Sequence, residues 1–130
     1  MKQLLQYLRD GKTAVEDVPL PAPRAGTALV RTHASLVSAG TERMVVDFAR
    51  QSLIGKARSR PDLARQVLQR ARREGLVGAL GAAFSRLDQP MALGYSSAGT
   101  ITSLGAGMSG FKVRQRVACA GSGYAVHAEY

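Results

Sequence analysis

The segment Gly105-Ala106-Gly107-Met108-Ser109-Gly110 has the spacing G-x-G-x-x-G, which in one setting brings backbone N–H groups against a dinucleotide pyrophosphate. That use needs a long helix opening at the third glycine, so that its N-terminus faces the phosphates. Here the chain continues instead through Phe111, Val113, Val117 and Cys119 at β-like spacing. The glycines are therefore expected to form a turn between two strands, with Gly107 or Gly110 free to take positive φ. His33 lies on the polar side of an alternating segment, where a histidine more often makes a surface hydrogen bond than catalyses.

The elements that must position any site fall into three parts. "KQLLQYLRDGKTAVEDV" contains two short β-leaning runs around Asp10-Gly11, a dipeptide that suits a tight hairpin. Pro19, Pro21 and Pro23 then remove alternate backbone donors and favour an extended connector. "TALVRTHASLV" predicts a half-buried strand, with Val30, Thr32, Ala34 and Leu36 inward and Arg31, His33 and Ser35 outward. The middle third predicts helices: one starting near Thr41, whose hydroxyl can serve as N-cap, and one opening at Pro61-Asp62 and stopping at Gly75. Leu63, Val67 and Leu68, with Ala64 and Ala71, form the apolar stripe of the second. A third, "LVGALGAAFSRL", is rich in small residues and predicts close packing. From Met91 the β pattern returns, with strands in "SSAGTITSL" and "QRVACA" and a last one beginning in "YAVHAEY".

A chain of 130 residues is about the size of one domain. A two-domain enzyme would be represented only in part. The single cysteine, Cys119, excludes an intrachain disulfide and suits a reducing compartment. No run of about 18 apolar residues and no leader-like N-terminus is present, so the expectation is a cytoplasmic protein with no membrane partner. The net charge of +9 is concentrated: between Arg50 and Arg73, eight cations face the single acid Asp62 and carry seven of the nine net charges.

Strands, a helical block over about 41–89, and strands again predict an α+β chain, mainly β with a helical insertion. The order "VPLPAPRAGTALVRTHASLVSAGTE" followed by "LGYSSAGTITSLGAGMSGFKVRQRVACAG" resembles the N-terminal GroES-like catalytic domain of medium-chain dehydrogenases and reductases, the zinc-type alcohol dehydrogenase superfamily. Three signatures occur in that family's order: a proline-rich connector before an "L-V-R" strand, a "G-T-E" segment after it, and a glycine loop leading to "G-F-K-V-x-x-R-V". The subgroup it is most similar to joins this unit, with a long helical insertion, to a sugar-type oxidoreductase unit. The resemblance implies a partly open β-barrel over residues 1–130. It also implies NAD or NADP as cofactor, a small-molecule substrate, and a nucleotide-binding domain that this chain does not contain; the chain is then expected to be a fragment, inactive alone. Exposed strand edges would favour homo-oligomers.

Departures from the family pattern bear on the chemistry. Where zinc-dependent members carry a cysteine and a histidine, this chain has Ala39, beside Ser38, and Gly94-Tyr95-Ser96. A catalytic zinc is not expected, and Cys119 alone cannot form a four-cysteine lobe. Arg114-Gln115 replaces the usual Gly-Asp of a turn. By resemblance Tyr95 occupies a metal-ligand position facing the cleft, where a phenol can donate a proton to a developing alkoxide or enolate; filling the vacated metal position is the competing role. Ser38 and Thr41 by resemblance approach the nicotinamide and the reacting oxygen. Glu42 orients the segment, pairs with an arginine, or acts as a base.

A second reading comes from another class: a basic helical module gripping nucleic acid or another polyanion through Arg58 to Arg73. The arginines alternate with apolar residues and lack an aromatic stacking surface, which argues against it. A third reading is a non-catalytic GroES-like scaffold. Substrate, cofactor type and direction are not encoded in any local motif.

Overall fold

The computed structural model describes residues 1–130, Glu74 by its backbone alone. Six strands and four helices follow one another: β1 (Lys2–Gln6), β2 (Thr13–Asp17), β3 (Ala28–Ser35), α1 (Thr41–Arg50), α2 (Leu53–Ser59), α3 (Pro61–Glu74), α4 (Leu76–Asp88), β4 (Met91–Ala92), β5 (Ser96–Leu104) and β6 (Arg116–Ala120). The fold is α+β. The helices span more residues than the strands, which corrects the expected emphasis on β. α2 follows α1 after two residues; Ser52 caps it, accepting from the Gly55 N–H at 3.2 Å.

Two compact units share the chain: one of Met1–Leu5, Ala14–Glu42 and Ala92–Tyr130, the other of Gln6–Thr13 and Arg43–Met91. The strands form two three-stranded sheets, ordered β2-β1-β4 and β3-β5-β6, and no closed barrel. β3 runs antiparallel to β5 from Ala28↔Leu104 to Ser35↔Ser97, and β5 runs antiparallel to β6 from Ser96↔Ala120 to Thr100↔Arg116.

The alternation predicted for β3 holds at its centre, where Val30 and Thr32 are half-buried and Arg31 and His33 exposed. Register shifts at Leu29/Val30 and Thr32/Ala34 break the period. Ala34 and Leu36, expected inside, are exposed. His33 bonds across the sheet, its Nε2 lying 2.9 Å from Thr100 Oγ1, in line with a surface hydrogen-bonding role.

The strand expected to begin in "YAVHAEY" does not form. Its backbone bonds go to three separate partners, so no continuous ladder develops: Leu4 N–H donates to His127 O (2.9 Å), His127 N–H to Leu93 O (2.8 Å) and Thr32 N–H to Glu129 O (2.9 Å). The segment thereby ties β1 to β3, and Ala125 and Val126 are buried with Leu5, Leu93 and Ile101 as the core of this unit.

The glycine loop is a turn. Gly26 N–H donates to Ala106 O and Gly105 N–H to Thr27 O, both at 2.8 Å, and Gly107 and Gly110 both take positive φ, 75° and 81°. No helix follows it. Arg114, in the next turn, has φ 71° and is the only non-glycine with positive φ among the described residues. An L-residue there costs about 1 kcal/mol, partly offset in glycine by chain entropy. Arg114→Gly is therefore expected to raise stability by about 0.5 kcal/mol, seen as a higher urea midpoint; a lower midpoint would show that the arginine side chain contributes more than its backbone costs.

Among the helices, α1 starts at Thr41 and α3 at Pro61, as the sequence predicts, and α3 stops at Gly75. The predicted stripe of α3 is only partly covered: Ala64, Val67 and Ala71 are half-buried, while Leu63 and Leu68 are exposed. The small residues of α4 do permit close packing at Ala79, which is almost wholly buried. Arg9 anchors the β1–β2 turn to α4 through a salt bridge to Asp88 (2.8 Å) and by lying over the Phe84 ring, 5.2 Å from its centre.

Candidate functional site

The start of α1 assembles most of the candidate site. Ser38 is bonded to both Thr41 and Glu42, in an arrangement like a capping box with one extra residue. The Ser38 Oγ accepts from the Thr41 N–H at 3.4 Å, and the Ser38 N–H donates to Glu42 Oε1 at 3.0 Å. The hydroxyl that receives a helix N–H is thus Ser38's, which corrects the expectation that Thr41 is the N-cap. Thr41 is the first helical residue and is exposed.

The second carboxylate oxygen of Glu42 reaches a residue that sequence reasoning passed over. Glu42 Oε2 lies 2.9 Å from His127 Nε2, and His127 Nδ1 lies 2.7 Å from Ser35 Oγ. The His127 and Glu42 side chains are only 9% and 11% exposed, whereas Ser35 is exposed. An ionised carboxylate only accepts, so Nε2 carries the hydrogen; in the neutral ring Nδ1 then accepts from the Ser35 hydroxyl. Burial raises the Glu42 carboxyl, but the Ser38 N–H, the His127 hydrogen bond and the nearby His127 charge together bring it below its ordinary value.

Gly94 leaves the space that His127 occupies. Its φ is 96°, and a Cβ built there would lie 2.7 Å from the His127 backbone nitrogen and 2.9 Å from the ring Cγ. Tyr95 follows immediately. It stands at the same end of the sheet as Ser35 to Ser38, because Leu36 N–H donates to Ser96 O at 3.0 Å and Ser35 pairs with Ser97. The Tyr95 side chain is partly exposed, and its hydroxyl has no hydrogen-bond partner among the described residues. The structure thus joins Ser38, Thr41 and Glu42 in one cap, adds His127 and Ser35, and places Tyr95 at the neighbouring strand end without a bond to them.

No local signal marks His127 in the sequence. Its partner Glu42 is 85 positions away, and the segment around it reads as an ordinary strand. Among the described residues, no three His, Cys, Asp or Glu side chains converge where a metal ion could sit.

The basic stretch divides. Arg58, Arg60, Arg65, Arg72 and Arg73 are exposed, and Arg60 pairs with Asp62 at 2.9 Å, whose carboxyl it holds down to about 2. Lys56, however, is only 6% exposed. It is not part of a solvated face. No helix among the described residues is long and apolar enough to cross a membrane.

No family model matches the chain, and no curated protein matches it.

Proposed function

We propose that this chain is the substrate-side portion of a zinc-independent NAD(P)-dependent oxidoreductase with a GroES-like arrangement of its strands, acting on a carbonyl, an alcohol or an activated alkene, sugar-type carbonyls included. The observation that carries the proposal is the buried Glu42–His127 pair ending on the exposed Ser35 hydroxyl. Hydride addition to a carbonyl carbon, or to an activated alkene, leaves negative charge on oxygen that must be met by a proton. With the imidazole charged, the Ser35 hydroxyl passes its proton to that oxygen and recovers one from His127 Nδ1–H, which leaves the ring neutral with its hydrogen on Nε2. Glu42 fixes the tautomer and stabilises the ring when it is charged.

Tyr95, next to the same strand end, would be the second proton donor, with a hydroxyl that no described residue engages. The nicotinamide, when bound, supplies or accepts the hydride. In this chain Ser38 and Thr41 would meet it: Thr41 is exposed, and Ser38 is held by the cap. The glycine loop does not fit a pyrophosphate, because Gly105 is packed against the Arg24 carbonyl and no helix opens after the loop. In this reading the phosphates bind a separate nucleotide-binding domain.

The test uses the complete natural polypeptide containing this sequence, assayed for NAD(P)H oxidation with a panel of aldehydes, ketones and activated alkenes. Tyr95→Phe is expected to lower kcat about 100-fold with an unchanged folding midpoint, the size typical of a lost acid catalyst. Unchanged turnover removes the phenol and leaves Ser35–His127 as donor. Unchanged turnover in both Tyr95→Phe and His127→Gln overturns the relay, and no nicotinamide-dependent turnover with any substrate overturns the reading as a whole.

A further inference from the structure

A cavity of about 330 Å³ opens in the helical unit, walled by Phe48, Leu63, Val67, Ala79, Phe84 and Leu87. Its volume lies at the lower end of the range for small-molecule pockets. None of its described lining residues is acidic, while four are cationic: Lys56, Arg60, Arg70 and Arg86.

Lys56 is the unusual member. A lysine is rarely buried without a charged partner, yet this one is 6% exposed and lines an apolar cavity. Its Nζ carries three N–H donors, and among the described residues it meets one acceptor, the Arg9 carbonyl, at 3.3 Å. Burial pushes its ammonium down, against the opposing pull of Asp10, an exposed residue. Asp10 acts on the ammonium only at a distance, and an anionic oxygen in the cavity would supply a further acceptor in direct contact.

We propose that this cavity binds a free amphipathic carboxylate of medium-chain fatty-acid type, its apolar body among α1, α3 and α4 and its carboxylate on Lys56. One buried ammonium suits a single negative charge, and the apolar walls suit a body of about ten carbons at this volume. Arg60 is already paired with Asp62, so the charge that meets the anion is that of Lys56. This site is independent of the oxidoreductase reading, since every lining residue lies in the helical unit.

The probe is decanoate, titrated into the 130-residue chain by calorimetry and amide NMR, with 1-decanol as the uncharged control. Decanoate is expected to saturate with shifts confined to α1–α4 and to bind at least tenfold more tightly than decanol. Lys56→Met, which keeps the length and loses the charge, is expected to abolish that tenfold preference. Its persistence in the variant overturns the proposal, as does binding that begins only at the micelle concentration. Should Lys56→Met fail to fold by circular dichroism, Ala83→Phe fills the cavity and leaves the lysine. Loss of both ligands supports the proposal and undiminished binding overturns it. A chain that is dimeric by sedimentation and that decanoate neither binds nor dissociates shows that a second copy occupies the groove, which likewise overturns it.

Discussion

Gly105→Ala is expected to destabilise the chain by about 3 kcal/mol or more, in the upper range for single substitutions. A Cβ on Gly105 would overlap the carbonyl of Arg24 and press on that of Thr27. These are backbone atoms, fixed by the Gly105 N–H bond to Thr27 O and by the Thr27 N–H bond to Arg24 O at 3.0 Å. No rotamer change can make room. Gly107, two positions on, is the internal control, with positive φ but nothing within 4 Å of a built Cβ. Gly107→Ala should cost only the left-handed penalty of about 1 kcal/mol. Urea unfolding of both variants checks the contrast, and equal costs would show that the turn over 24–27 yields without loss.

Glu42→Ala is expected to cost about 2–3 kcal/mol, because it leaves the His127 Nε2–H and the Ser38 N–H without their acceptor in a mostly buried setting. The same pair sets an acid limit. The folded-state carboxyl lies below its ordinary value of 4.5, so Glu42 contributes stability that is complete above the unfolded value. It is lost as pH falls through the lower, folded one. Wild-type urea midpoints should therefore drop below about pH 4.5 more steeply than those of Glu42→Ala. Parallel pH profiles for the two proteins would exclude the linkage. In the proposed oxidoreductase, this variant should also slow turnover by leaving the imidazole unoriented.

The elements that were legible in the sequence are those whose signals are local. Pro61, Asp62 and Gly75 mark α3 because proline, dipole and stop each act within one turn, and the β-like residues after Gly110 excluded a phosphate-binding helix. The site was legible only in part. Ser38, Thr41 and Glu42 lie in one short segment, but their true pairing depends on His127, which no spacing rule connects to them. Arg114 could be singled out as a departure in a turn, though its φ of 71° required the backbone. In the sequence Lys56 is one more cation in a basic run, since burial of a lysine is decided by where α2 and the β1–β2 turn come to lie, not by its neighbours in sequence. The last strand failed for the same reason: alternation in "YAVHAEY" is real, but its hydrogen bonds are divided among β1, Leu93 and β3.

The segment from Ala125 to Glu129 also governs when the molecule can form. Lys2 N–H bonds the Glu129 carboxylate across 127 positions, and Leu4, Thr32 and Leu93 all receive partners from these few residues. Contacts of such separation close slowly, because loop entropy is lost before any contact repays it. On the ribosome, α1 to α4 emerge and can coil while β1 and β3 still lack the strip that joins them. A pause or cleavage before Ala125 would thus leave β1 and β3 with open edges, a state exposed to aggregation.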